Sequence, residues 1–118
     1  KNPIDAEILY PRFFHKRGAL AAARESDEEN PELKSSTAQF YIVWGESPAR
    51  KAKRTYKPML GYYDTTDRMP GTPWLDGGYT VFGEVVEGLD VVARIQESET
   101  GPADNPLKDI FIVKIVEE

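Results

Sequence analysis

Apolar residues gather in short runs separated by long polar stretches. Thr37-Ala38-Gln39-Phe40-Tyr41-Ile42-Val43-Trp44 is the strongest strand candidate, being rich in β-branched and aromatic residues. Alternation puts Ala38, Phe40 and Ile42 on one face and Gln39, Tyr41 and Val43 on the other. Thr80 to Val86 reads as a second strand. Asp109 to Val116 reads as a third, with Ile110, Ile112, Lys114 and Val116 alternating with Phe111, Val113 and Ile115. After Gly88, Leu89, Val92 and Ala93 recur at helical spacing and predict a short helix over Leu89–Ile95. Gly18 to Arg24 is ambiguous: its alanines favour a helix, but a short run behind a glycine equally suits a buried strand of small residues.

The connections are long and polar. Glu25 to Ser36 is acidic, with Asn30-Pro31 as a turn signal, and reads as an exposed loop. Gly45 to Gly71 is basic and carries Pro and Tyr. A segment of that length without structure inside a domain is uncommon, and Ala49 to Leu60 could hold a short helix. Three strands, one short helix and long loops predict a mainly β domain. So few strands do not easily cover their own edges.

Composition narrows the chemistry. The 118 residues suit one domain with a modest core. The net charge of −5 argues against nucleic acid as a partner, since phosphate binding needs a basic surface. The cluster Arg50-Lys51-Ala52-Lys53-Arg54 reads as a solvated loop. There is no cysteine, hence no disulfide or thiolate chemistry, and the lone His15 cannot build a His-rich metal site; it reads as a loop residue. No apolar run approaches the ~20 residues of a membrane span. The start at Lys1-Asn2-Pro3, without Met, reads as a processed or truncated product. The compartment stays open.

The most particular stretch is Thr72-Pro73-Trp74-Leu75-Asp76-Gly77-Gly78-Tyr79-Thr80-Val81-Phe82-Gly83-Glu84-Val85, a tight turn feeding a strand with aromatics on both sides. It resembles a block of the cyclophilin family of peptidyl-prolyl cis-trans isomerases. Other blocks follow the family's order: Phe14 to Arg24, Ser36 to Ile42, Glu87-Gly88-Leu89-Asp90-Val91-Val92 and Asp109 to Val116. Together they cover most of residues 12–118. The resemblance implies a cyclophilin-like antiparallel β-barrel, incomplete in this chain, with Gly18 to Arg24 as a strand and residues 45–71 as an inserted basic loop in a single domain.

It also implies the chemistry. Twisting an amide C–N bond costs roughly 18–20 kcal/mol, and prolyl bonds exchange in tens to hundreds of seconds uncatalysed. An apolar pocket favours the less dipolar twisted state, and a donor aimed at the prolyl nitrogen adds to this selectively. No cofactor, metal or nucleophile is needed. The implied ligands are proline-containing peptides or unfolded proteins. By motif position, Tyr41 is a wall of the proline pocket and Gln39 holds the peptide backbone. Ala23 and Arg24 pair with extended substrate through backbone groups. Trp74 and Leu75 line the rim, and Tyr79 stands where many members have His. Tyr41, Gln39, Trp74 and Tyr79 also have plainer readings, as strand packing, a surface strand residue, core cover and a turn-flanking aromatic, and Phe40 and Phe82 read as core.

The family's Phe-His-Arg and Phe-Met-x-Gln-Gly-Gly-Asp motifs have no match in residues 1–17. Arg12 and Arg17 lack the matching context, so no catalytic residue is assigned, and the chain is expected to be weak or inactive alone. A non-catalytic proline-peptide binding or scaffold module of the same fold is the alternative. Self-association, or pairing with the absent N-terminal segment, would cover the open edges.

Overall fold

The computed structural model describes residues 2–10, 12–45 and 71–118. The helix considered within 49–60 and the basic cluster at 50–54 lie outside them. Two compact units emerge, Lys1–Glu87 and Gly88–Glu118, and each is described by itself.

The first unit is built on a three-stranded antiparallel sheet of β1 (Ala19–Ala22), β2 (Phe40–Ile42) and β3 (Val81–Glu84), in the order β2-β1-β3. The alanine run is therefore a strand. Gly18, at φ 89°, breaks any helical start, and β1 then gains partners on both edges. Leu20 faces Ile42 and Ala22 faces Phe40 on one side. Ala19 faces Glu84 and Leu20 faces Gly83 on the other. Pairing outweighs alanine's weak local preference for helix. Backbone bonds continue the ladders past the strand ends: Gly18 donates to Val43 at 2.8 Å, Val85 to Gly18 at 2.7 Å and Ala22 to Thr80 at 3.0 Å.

The register shifts between Leu20 and Ala21, where Ala21 faces Val81 and Phe82 is the extra residue. That bulge bends β3 locally. Gly83 is fitted to its neighbour: a Cβ there would lie 3.4 Å from Leu20 Cδ2.

One face of this sheet is covered. Ala19, Ala21 and Val43 are buried on it, and the polar His15, Ser35 and Asp76 are buried too; Ala22, also buried, lies opposite Phe40 on the other face. Phe40 and Phe82 are not core residues: they are 43% and 58% exposed. Phe40 shares the uncovered face with Ile42, on the opposite side from Tyr41 and Val43, and Phe82 sits on the bulge. The described residues thus form an open sheet, mainly β in character, where a barrel would require further strands.

In the second unit, helix α1 (Leu89–Gln96) starts after Gly88, at φ 92°. Asp90 in its first turn and Arg94 in its last complement the helix dipole. Of the face the spacing predicted, Val92 and Ala93 are half-buried and Leu89 is exposed. Asp109 to Val116, expected as a closing strand, is not one. A strand exists only through pairing, and this unit offers no second strand beside it. Its apolar side chains stay exposed, Val113 most of all at 94%.

Candidate active site

The site grows from two segments laced together. Thr72 donates its backbone N–H to the His15 carbonyl at 2.8 Å, and Lys16 bridges to Gly71. Pro73–Leu75 form one turn of 3-10 helix. Gly77, at φ 76°, lets the chain reverse behind it. This places the Asp76 carboxylate under residue 15, where Oδ1 accepts the His15 backbone N–H at 2.7 Å and lies 3.0 Å from its ring Nδ1.

His15 Nε2 lies 2.8 Å from the Tyr41 hydroxyl. The two rings stack with centroids 5.9 Å apart. Tyr79 packs edge-on against both, at 6.2 Å from His15 and 6.1 Å from Tyr41. Burial raises the Tyr41 hydroxyl above its ordinary range; Tyr79 and Asp76 push the same way and Arg24 opposes them. Tyr41 therefore stays a neutral phenol, an aromatic surface rather than a nucleophile.

Arg24 braces this cluster. Its guanidinium lies 4.1 Å above the Tyr79 ring. Its Nε donates to the Gly78 carbonyl at 2.8 Å, and Nη1 pairs with Asp27 at 2.8 Å. The side chain is almost fully buried. Nothing in the sequence motif pointed to such a role for it.

The proposed site residues divide into groups. Tyr41, Tyr79 and Arg24 come together. Gln39 is exposed and joins Arg24 along a polar cleft of about 460 Å³, with Glu25, Glu29 and Lys34. The Ala23 backbone is engaged within the fold: its N–H bonds to the Gln39 carbonyl at 3.1 Å, and its carbonyl accepts from Ser36 at 2.9 Å. The Arg24 backbone makes no such bond among the described residues. Trp74 is 50% exposed on the turn and makes no ring contact with Tyr41 or Tyr79. Leu75 beside it is half-buried. A separate cleft of about 510 Å³, with Leu9, Phe13 and Phe82, is lined by none of these residues.

His15 and Asp76 are the site residues that the sequence did not assign. His15 is in a loop, as expected, but it is 1% exposed and, among the described residues, is the largest side chain so fully buried. Its solitary occurrence was the available signal. Among the described residues, no group of three or more His, Cys, Asp or Glu side chains could hold a metal ion. No described helix is long and apolar enough to cross a membrane.

The geometry is that of an aromatic surface with an extended-chain edge beside it, and comparison with known proteins gives it a family. The family model of cyclophilin type peptidyl-prolyl cis-trans isomerase/CLD matches residues 1–117. A Staphylococcus saprophyticus protein named "Putative peptidyl-prolyl cis-trans isomerase" is 36% identical over 112 residues, which cover 88% of this chain and 52% of that protein. A Staphylococcus aureus (strain COL) protein of the same name is 47% identical over 112 residues, covering 89% of this chain and 52% of that protein. The chain spans about half the length of these curated relatives. It belongs to the cyclophilin-type peptidyl-prolyl cis-trans isomerase family.

Proposed function

We propose that this chain supplies the proline-holding wall of a peptidyl-prolyl cis-trans isomerase acting on Xaa-Pro bonds in peptides or unfolded proteins, assisting their folding. The observation that carries this is the Tyr41 ring, kept neutral by burial and fixed between His15 and Tyr79. A rigid uncharged aromatic face suits a pyrrolidine ring, and an apolar setting favours the twisted, less dipolar amide. Arg24 would offer its backbone groups to an extended peptide, Gln39 its side chain, and Trp74 and Leu75 the rim. Ala23 would contribute through its position, since its own backbone groups are occupied.

A second reading, a proline-peptide binding module without catalysis, has its own support. Among the described residues of the first unit, Arg12, Arg17 and Arg24 each have partners of their own. Arg12 lies over Phe13 at 5.2 Å, and Arg17 lies over Trp44 at 3.7 Å while donating to the Trp44 and Gly45 carbonyls. Arg24 is held as a brace. No free donor for the prolyl nitrogen is evident among them.

We read the chain as one domain with residues 45–71 inserted. The close approach of Gly45 to Gly71 supports this, since a Cβ on Gly45 would come within 2.5 Å of the Gly71 backbone. A protease-coupled proline isomerisation assay on this chain, run beside peptide titration, tests the function. Binding with weak or no turnover is expected. Turnover at the level of an efficient isomerase would overturn the assignment of no catalytic residue, and neither binding nor turnover would overturn the function.

A further inference from the structure

We infer that His15 is a positioning residue for Tyr41: held by Asp76 as the Nδ1–H tautomer, it accepts the Tyr41 hydroxyl at Nε2 and sets the pitch of the ring that a proline would meet. This rests on the proposed role of Tyr41 as a pocket wall.

The chemistry follows from donors and acceptors. An ionised carboxylate only accepts, so Asp76 Oδ1, 3.0 Å from Nδ1, places the ring proton there. The same oxygen takes the His15 backbone N–H at 2.7 Å, which fixes the base of the side chain as well as its ring. Both groups are buried, at 1% and 5% exposure, so water does not substitute for either contact. Nε2 then presents a lone pair, and the Tyr41 hydroxyl at 2.8 Å donates to it. A half-buried phenol needs a partner for its hydroxyl. A phenylalanine would fill the wall without one, so a tyrosine here ties the wall to the histidine behind it.

The test uses the single histidine of the chain, whose ring nitrogens give unambiguous long-range proton–nitrogen NMR signals. Nδ1 should show a protonated, pyrrole-like shift and Nε2 an unprotonated one; the reverse pattern overturns the inference. Binding of a proline peptide, followed by Trp fluorescence, supplies the second arm. His15→Phe should weaken binding roughly five-fold, the order of one hydrogen bond, but less than about two-fold in a Tyr41→Phe background. Equal weakening in both backgrounds overturns the inference. Should His15→Phe not fold, Asp76→Asn takes its place, with the same dependence on Tyr41 expected. If the unaltered chain binds no proline peptide, the functional reading fails, and the nitrogen shifts alone decide the His15–Tyr41 coupling.

Discussion

Asp76 holds His15 twice with one oxygen, accepting its backbone N–H at 2.7 Å and lying 3.0 Å from its ring Nδ1. The two residues are 61 positions apart in the chain, so this contact fastens the turn at 72–78 to the segment entering β1. Asp76→Ala removes the carboxylate oxygen that two buried His15 nitrogens approach. A loss of about 2–4 kcal/mol in urea denaturation is expected, with Asp76→Asn less damaging. A loss below about 0.5 kcal/mol for Asp76→Ala would show that the contact contributes little.

Arg24 should matter to stability far more than its ion pair does. Its side chain is 5% exposed, whereas that of Asp27 is 80% exposed. An ion pair with so exposed a partner is screened and worth little. Asp27→Ala is therefore expected to shift stability by less than about 0.5 kcal/mol. Arg24→Ala, which loses the Gly78 carbonyl bond and the Tyr79 stack, should cost about 2–3 kcal/mol. Thermal denaturation of the two variants compares them directly; similar small shifts would refute the bracing role.

Two glycines offer a controlled pair. Gly45 and Gly77 both have positive φ, 70° and 76°. A Cβ at Gly77 meets nothing within 4 Å, while at Gly45 it would lie 2.5 Å from the Gly71 backbone. Gly77→Ala should cost about 1 kcal/mol, the left-handed penalty alone. Gly45→Ala should cost distinctly more, because backbone must move. Equal denaturation midpoints for the two would contradict the close approach.

Alkaline stability tests Tyr41. Its hydroxyl holds its proton more tightly in the fold, chiefly through burial, than in the unfolded chain, where tyrosine ionises near pH 10. This raised value leaves its contribution whole below about pH 10 and lost progressively as pH rises beyond it. Tyr41→Phe should therefore show a shallower decline in stability between about pH 9.5 and 11.5 than the unaltered chain, measured by urea unfolding. An identical decline would mean that the hydroxyl ionises as freely in the fold as outside it.

Much of the architecture was legible where side-chain type and backbone need agree. Phe40, Tyr41 and Ile42 announce a strand, and Leu89, Val92 and Ala93 announce a helix face. Gly18 to Arg24 was undecidable locally, because the choice is made by β2 and β3 on either side, not by alanine propensity. The alternation of Asp109 to Val116 was real but insufficient, since pairing makes a strand. Phe40 and Phe82 misled because a core assignment assumes that something covers the face. Tyr41 and Tyr79 could be placed by motif order, but the His15–Asp76 contact leaves no periodic trace. It joins two loops, and only the folded turn brings them together.

Tyr41 is proposed as the wall that holds proline. Titrating an extended Xaa-Pro peptide, and the same peptide with alanine for proline, against this chain and its Tyr41→Ala variant tests it most directly, read by Trp fluorescence. Saturable binding of the proline peptide, weaker binding of the alanine peptide, and loss of the difference in Tyr41→Ala are expected. No binding at millimolar peptide, or an unchanged preference for proline in the variant, would contradict it.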